Sequence, residues 1–128
     1  MNKQKLVIIG GGGMVGATAA YACALRSVVE EIVLIDRNAD LVWGQAADIN
    51  DAMGLDRNVE VRAGDYSDIA TDDIVVITAG SPQMPGQTRL ELVGVNANIM
   101  RDIVKNIMAA GAKPYLVVVS NPVDVLTY

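Results

Sequence analysis

Short apolar runs alternate along the chain with longer segments in which apolar residues recur every three or four positions. The short runs predict buried strands, because parallel strands are covered on both faces and carry nearly continuous apolar side chains. The longer segments predict amphipathic helices. The predicted strands span residues 5–9, 32–35, 59–63, 74–78 and 115–119. The predicted helices span residues 14–26, 38–53 and 89–110, with the start of another after Pro122.

Capping residues predict where the helices begin and end, and apolar stripes predict which of their faces are buried. Asn38 is a candidate N-cap, while Gly54 and Gly111 are candidate stops. The first and third helices each carry a stripe that we expect to be buried. These stripes are Val15, Ala19, Ala22 and Leu25, and Leu92, Asn96, Ile99, Ile103 and Ile107. Cys23, Trp43 and the six methionines are expected to serve as packing residues.

Strands that alternate with helices predict an α/β fold with a doubly wound parallel sheet, of the Rossmann type, covered by helices on both faces. We expect residues 1–128 to form one dinucleotide-binding domain. A complete sheet of this class has two three-stranded halves, whereas five main strands are predicted here. The sequence therefore suggests that this chain is a piece of a longer protein and that it stops before a catalytic domain.

Composition excludes several classes of function. The chain has 10 Lys and Arg against 15 Asp and Glu and a formal net charge of −5, which argues against a nucleic-acid surface. Aromatic residues make up 4%, too few for a base-stacking platform. One Cys rules out an internal disulfide. With no His as well, we expect no metal site, and the commonest general acid/base is missing.

Residues 6–25 carry no charge and have the length of a membrane span or a signal peptide. Five glycines, at 10–13 and at 16, lie in the middle of this run, where either alternative requires Leu, Ile or Val. A strand, a glycine turn and a buried helix explain the run better. We therefore expect no membrane association.

The glycine run contains Gly11-x-Gly13-x-x-Gly16 directly after the first strand, the context of a dinucleotide-binding fingerprint. Gly11 would permit the tight turn, Gly13 would let the backbone approach a diphosphate, and Gly16 would let the helix pack closely on the strand. Asp36 follows 20 residues later, at the end of the second strand. Its carboxylate could accept hydrogen bonds from ribose hydroxyls, which favours NAD over NADP, although Arg37 weakens this preference. A solvated strand end is the alternative interpretation of Asp36.

A long loop follows the fourth strand, at the edge where ligands bind in open α/β sheets. Gly80 and Gly86 could act as hinges of a lid that carries Arg89. Arg89 could polarise a substrate carbonyl, since a guanidinium is always charged, or it could be an exposed residue of the first helical turn. Asn121 follows the fifth strand at the same edge and could reach the reacting groups or cap the next helix. Pro122 would lock this turn, with a cis bond as one option.

Several motifs together resemble the N-terminal part of the L-lactate/L-malate dehydrogenase family, over essentially all 128 residues. They are IGGGGMVG at 9–16, IVLID at 32–36, GDY at 64–66, TAGSPQMPGQTRL at 78–90 and SNPVDVLT at 120–127. The resemblance implies NAD as the cofactor. It implies cofactor contacts at Gly11, Gly13, Met14, Val15, Gly16, Asp36, Tyr66, Thr78, Ala79, Gly80, Val119 and Asn121.

The same resemblance implies catalytic roles. Arg89 matches the loop arginine that polarises the substrate carbonyl, and Asn121 matches the asparagine that hydrogen-bonds the substrate oxygen. Gln83 lies at the specificity position, where a neutral amide suits a methyl-bearing 2-oxo acid such as pyruvate. Malate and 2-hydroxyisocaproate remain alternatives. A stand-alone NAD-sensing module is a further alternative, although it gives no reason for Gln83, Arg89 and Asn121 to share one edge.

Departures from the family pattern limit what this chain could do alone. Leu41 stands where some relatives carry a Lys near the adenosine. The catalytic His of the family, its Asp partner and the Arg that grips the substrate carboxylate lie beyond Tyr128. We therefore expect the chain to bind NAD without completing hydride transfer. In the longer protein we expect a small 2-hydroxy or 2-oxo acid as substrate, a homo-oligomer and a cytoplasmic location.

Overall fold

The computed structural model of the protein describes residues 4–54 and 58–128. Its strands are β1 (Lys5–Ile9), β2 (Glu31–Ile35), β3 (Glu60–Ala63), β4 (Ile74–Ile77) and β5 (Tyr115–Val118). Its helices are α1 (Met14–Leu25), α2 (Ala39–Met53), α3 (Arg89–Ala109) and α4 (Val123–Thr127), with a 3₁₀ turn at Tyr66–Asp68. The predicted elements therefore form, with shifts of one or two residues at their ends.

The strands make one parallel sheet in the order β3-β2-β1-β4-β5. The first three strands build outward from β1, and the chain then crosses back to place β4 on the other side of β1. This confirms the doubly wound sheet. The reversal between β1 and β4 creates the crevice at the carboxyl ends of the strands in which ligands bind in this class of fold.

Alternate residues of the central strands face two separate cores. Leu6 and Ile8 of β1 pack with Ile32 and Leu34 of β2 under α1 and α2. Their neighbours along the strands face a second core that includes residues of α3 and α4. Burial on both faces explains why the strands read as continuous apolar runs.

The caps of the longer helices are as predicted. The Asn38 side chain accepts a hydrogen bond from Leu41 N–H at 3.1 Å at the start of α2. Gly54, with φ of +74°, ends that helix, and Gly111, with φ of +76°, follows the end of α3. On α3, Asn96, Ile103 and Ile107 are buried and the rest of the predicted stripe is half-buried.

The stripe predicted on α1 is wrong except for Ala19, which is partly buried against the first core. The buried residues of α1 are Gly16, Ala20 and Ala24, while Val15 and Leu25 are 60% and 44% exposed. The helix lies so close to the sheet that small side chains fit between them. Backbone proximity, rather than the size of apolar side chains, therefore selects the buried face.

The expectation that Trp43 and all the methionines pack inside is also wrong in part. Trp43 is 70% exposed, and Met14, Met84 and Met108 are exposed as well. Met53 and Met100 are buried, and half-buried Cys23 packs against the first core as expected. Met1 lies outside the described residues.

The described ranges contain no helix of the length and hydrophobicity needed to cross a membrane. The apolar N-terminal run instead splits into β1, the glycine turn and α1. The same residues also hold no group of acidic, Cys or His side chains that could bind a metal ion.

Candidate functional site

A cavity of about 530 Å³ opens at the carboxyl ends of β1, β2 and β4. It lies at the topological switch point of the sheet, as expected for a ligand site in this fold. Its lining residues are Ile9, Gly10, Gly13, Ile35, Asp36, Arg37, Tyr66, Thr78, Ala79, Gly80, Ile99, Asp102, Ile103, Lys105 and Asn106.

The floor of the cavity is the turn between β1 and α1. The N–H groups of Gly10 and Gly11 both donate to the carbonyl of Ile35, at 2.8 and 3.1 Å, and Gly13 N–H donates to Gly10 O at 3.0 Å. The left-handed backbone of the turn falls on Gly10, with φ of +90°, rather than on Gly11. Gly11 is needed for another reason, because a Cβ there would lie 2.8 Å from Leu34 Cβ. The tight turn predicted at Gly11 therefore depends on Gly10, which the spacing of the fingerprint does not single out.

Gly16 allows the close packing predicted for it. A Cβ on Gly16 would overlap the carbonyl oxygen of Gly10 and lie 2.8 Å from Thr78 Oγ1. Thr78 in turn donates its hydroxyl to Ile9 O at 3.0 Å, which ties the end of β4 to the end of β1. Gly16 and Thr78 thus fix α1 against the sheet beside the cavity.

The start of α1 is suited to an anion. Gly13 supplies no side-chain cap, and no acidic residue lies in the first turn. The N–H groups of Met14, Val15 and Gly16 begin the helix and have no acceptor within it. Such a helix start carries about half a positive charge, which favours a phosphate. Because Gly13 N–H is already bonded to Gly10, the donors available to a diphosphate are those of the next three residues.

Asp36 stands beside this helix start with its carboxylate held in place. Its Oδ2 accepts from Gly12 N–H at 3.0 Å, and its Oδ1 accepts from Arg37 N–H at 2.7 Å. An ionised carboxylate has about four acceptor positions, so two remain for hydroxyl donors. A ribose fits these donor and acceptor requirements. Gly12, which the fingerprint leaves unspecified, allows this contact, since a Cβ there would lie 2.9 Å from Asp36 Oδ2.

The opposite wall of the cavity comes from α3 and from Tyr66. Burial raises the pKa of the Tyr66 phenol, a hydrogen bond with the Asn106 side chain opposes the shift, and the negative charges of Asp36 and Asp102 add to it. Tyr66 is therefore a neutral hydrogen-bonding group at neutral pH. Asp102, Lys105 and Asn106 also line the cavity. No sequence pattern indicates this, because these residues lie beside the apolar stripe of α3 and resemble solvated positions.

Gln83 lies in the loop between β4 and α3, and Arg89 directly follows that loop. Both are exposed and do not line the cavity. Arg89 is the first residue of α3, next to a capping box in which Thr88 and Glu91 exchange hydrogen bonds at 3.1 and 3.2 Å. Gly86, with φ of +81°, lies inside a hydrogen-bonded turn. The loop is therefore folded, which does not favour Gly86 as a free hinge.

Asn121 lies at the same edge, after β5, and is exposed. The Asn121–Pro122 bond is cis, the option left open for Pro122. The N-cap of α4 is Pro122, so the alternative role of Asn121 as a cap is wrong. Buried Ser120, which was not among the predicted site residues, holds this turn in place by donating its hydroxyl to Ala79 O.

The structure thus brings only part of the predicted cofactor set to the cavity. The predicted residues that line it are Gly13, Asp36, Tyr66, Thr78, Ala79 and Gly80. Those that do not line it are Gly11, Met14, Val15, Gly16, Val119 and Asn121. Of the second group, Met14 and Val15 lie beside the cavity at the helix start, while Gly11 and Gly16 shape the turn beneath it.

Comparisons with known proteins identify relatives over the whole chain. A family model described as the NAD-binding domain of lactate/malate dehydrogenase matches residues 4–128. L-lactate dehydrogenase 2 of Lactococcus lactis is 49% identical over 129 aligned residues, which cover 100% of this chain and 41% of that protein. The chain therefore spans about two fifths of the length of this curated relative.

Solved structures give the same result. The ligand-bound crystal structure of a minor L-lactate dehydrogenase from Enterococcus mundtii has a TM-score of 0.91 at 48% identity, covering 98% of this chain and 40% of that one. The malate dehydrogenase of Archaeoglobus fulgidus in complex with NADH has a TM-score of 0.88 at 42% identity, covering 98% of this chain and 43% of that one. Lactate and malate enzymes are thus both close in fold.

Proposed function

The chain belongs to the lactate/malate dehydrogenase family, whose NAD-binding domain it forms, and from this premise we propose that it is part of an enzyme that interconverts (S)-lactate and pyruvate. The proposed reaction is (S)-lactate + NAD⁺ → pyruvate + NADH + H⁺. NAD accepts the hydride when it is bound. One juxtaposition carries the proposal: the uncapped start of α1 lies beside Asp36, at the same edge of the sheet as the loop with Gln83 and Arg89.

Three groups of this chain would hold the cofactor. The N–H groups of Met14, Val15 and Gly16 would bind the diphosphate, and the two free acceptor positions of Asp36 would bind ribose hydroxyls. The apolar cavity residues, with Tyr66, would hold the adenine. A 2′-phosphate would meet the negative charge of Asp36, which supports NAD rather than NADP.

Two residues would act on the substrate. Arg89 would donate hydrogen bonds to the carbonyl oxygen of the 2-oxo acid and stabilise the negative charge that develops there. Asn121 would hold the same oxygen through its amide. Both side chains are exposed, so they are accessible to a ligand that binds in the crevice.

The proton acceptor would lie outside this chain. The sequence has no His, and the chain covers 41% of the Lactococcus relative. We therefore propose a longer protein in which residues 1–128 are the cofactor domain, a further domain supplies the base and the group that grips the substrate carboxylate, and this chain alone is inactive. Translation past Tyr128, or an intact-mass measurement, tests this proposal by looking for a downstream His. A protein that ended here would favour the NAD-sensing alternative.

Gln83 supports lactate over malate. A dicarboxylate buried against a neutral amide lacks the charged partner that a second carboxylate needs. The similarity to both lactate and malate enzymes makes this side chain the discriminating observation. Malate and larger 2-hydroxy acids are the alternatives.

The test is Gln83→Arg in the full-length protein, with kcat/KM measured for pyruvate and oxaloacetate. We expect the preference for pyruvate to fall by about two orders of magnitude, since a charge-assisted pair contributes about 1.5–3 kcal/mol. Gln4→Arg, an exposed position outside the site, adds the same charge and should leave the ratio unchanged. An unaltered ratio in Gln83→Arg would remove the specificity argument.

Assembly and location follow from the family rather than from the site. We propose a homo-oligomer that acts in the cytoplasm, with a small 2-hydroxy or 2-oxo acid as its substrate. Light scattering of the full-length protein tests the oligomer.

A further inference from the structure

The tip of the loop that carries Gln83 is a tight turn formed by residues 84–87. Gln87 N–H donates to Met84 O at 3.0 Å, and Gly86 adopts a φ of +81° after Pro85. Proline followed by a left-handed glycine is typical of the two central positions of a type II turn. The tip of the loop therefore has a defined backbone.

Two side-chain amides lock this turn. Gln83 Nε2 donates to the carbonyl of Gln87 at 2.8 Å, and Met84 N–H donates to Gln87 Oε1 at 3.0 Å. A backbone carbonyl can only accept and a backbone N–H can only donate, so this network fixes the orientation of both amides. We call Gln83, Met84 and Gln87 the loop clasp.

Both ends of the loop are fixed independently of the clasp. Ser81 N–H donates to Oδ1 of Asn96 at 2.8 Å, and Asn96 is buried on α3. At the other end, the Thr88–Glu91 capping box fixes the start of α3, where Arg89 lies. Arg89 therefore does not depend on the clasp for its position.

We propose that Gln87 is a positioning residue for substrate specificity, because its side chain holds the tip in which Gln83 is fixed. This inference rests on the proposed function, in which Gln83 faces the substrate. A free glutamine samples many rotamers, and the clasp removes that freedom before the substrate binds. One of the two N–H groups of Gln83 Nε2 is already bonded to Gln87 O, so only the other is left for a second substrate carboxylate. The clasp thus favours a monocarboxylate.

The Gln87 side chain accepts a hydrogen bond from Met84 N–H, so two variants that differ in having an acceptor test its role. Gln87→Leu has no acceptor for Met84 N–H, whereas Gln87→Glu keeps one. In the full-length enzyme we expect Gln87→Leu to lower kcat/KM for pyruvate about tenfold, the size of one lost hydrogen bond. The loss should fall on KM, with kcat largely kept because Arg89 is held separately. The ratio of kcat/KM for pyruvate to that for oxaloacetate should fall, and Gln87→Glu should restore both values.

Hydrogen exchange of the Met84 amide in this chain gives a readout that needs no substrate. Gln87→Leu should speed its exchange at least severalfold and leave that of Ser81, which Asn96 holds, unchanged. An unchanged Met84 rate would overturn the clasp. A faster rate with an unaltered substrate ratio, or Gln87→Glu as impaired as Gln87→Leu, would overturn the positioning role alone. A wild-type full-length protein inactive on every 2-oxo acid would overturn the proposed function, and the positioning role with it.

Discussion

Charged side chains are paired with one another where the strands begin, whereas they face a cavity where the strands end. At the amino edge, Lys5 Nζ lies 3.0 Å from Asp73 Oδ2, and both side chains are largely buried. Arg62 of β3 joins Glu31, at the start of β2, to Asp68 of the 3₁₀ turn after β3, at 2.7 and 2.9 Å. At the carboxyl edge, no salt bridge among the described residues includes Asp36.

The charged groups at the two edges therefore serve different purposes: those at the amino edge stabilise the fold, and those at the carboxyl edge are available to a ligand. A buried ion is costly unless it is paired, so the amino edge must keep its pairs intact. A binding site needs the opposite, namely acceptors and N–H groups that the fold leaves for a ligand. Asp36 shows the compromise, since two backbone N–H groups orient it and two acceptor positions remain.

The largest expected effect comes from breaking the amino edge. Asp73→Ala leaves the Lys5 ammonium buried without its partner and also removes the acceptor of Ala70 N–H. We expect a loss of about 3–5 kcal/mol in the free energy of unfolding, measured by urea denaturation. Asp51→Ala, an exposed position on α2, is the control and should cost less than about 0.5 kcal/mol. A loss in Asp73→Ala as small as that of the control would show that the pair does not stabilise the sheet.

Asp36→Ser tests the carboxyl edge, where we expect the substitution to change cofactor binding rather than stability. We expect NADH to bind about 10- to 100-fold more weakly, because hydrogen bonds to a charged group contribute about 1.5–3 kcal/mol. NADPH should gain relative to NADH, since the carboxylate that repels the 2′-phosphate is gone. Calorimetry on this chain measures both affinities, with Asp40→Ser as an exposed control on α2. An unchanged ratio of the two affinities would mean that Asp36 does not select the cofactor.

The smallest expected effect concerns pH and the ion pair between Arg62 and Asp68. The hydrogen bond from Arg62 lowers the pKa of the Asp68 carboxyl below its usual value, and the charge of Lys5 adds to this. A pKa that is lower in the folded state gives stability that is present above the unfolded value of about 4 and is lost as the pH falls. Because the pair is partly exposed, we expect a contribution of about 1 kcal/mol or less.

Thermal unfolding between about pH 6 and pH 2.5 measures this contribution. Wild type should lose more stability over that range than Asp68→Asn, and the two curves should converge at the acid end. Asp51→Asn should follow wild type throughout. Parallel curves for wild type and Asp68→Asn would contradict the assigned pKa shift.

The elements of the fold could be predicted from the sequence because they follow local rules. Apolar runs that stop at Gly10 and at Asp36 predicted β1 and β2, and Asn38 and Gly54 marked the ends of α2. Asp36 could be singled out because its distance from Gly16 along the chain reflects one βαβ unit. Arg89 and Asn121 could be singled out because they follow strands that end at the same edge of the sheet, and the motifs resembling known dehydrogenases added Gln83. The functional roles of all three remain predictions.

Other features depended on how the elements pack. The stripe of α1 was misassigned because the distance between helix and sheet, which no periodicity encodes, buries Gly16, Ala20 and Ala24. The α3 wall of the cavity and the anchoring by Asn96 arise when residues far apart in sequence come together.

What the sequence alone determined is therefore the order of strands and helices, the glycine turn and the acidic residue after β2, since each depends on neighbouring residues. Only the tertiary structure decided which glycine takes the left-handed turn, which acceptors stay available beside the helix start, and how Gln87 holds the tip of the loop. Those outcomes depend on the distances between atoms that folding brings together, and a sequence pattern does not contain those distances.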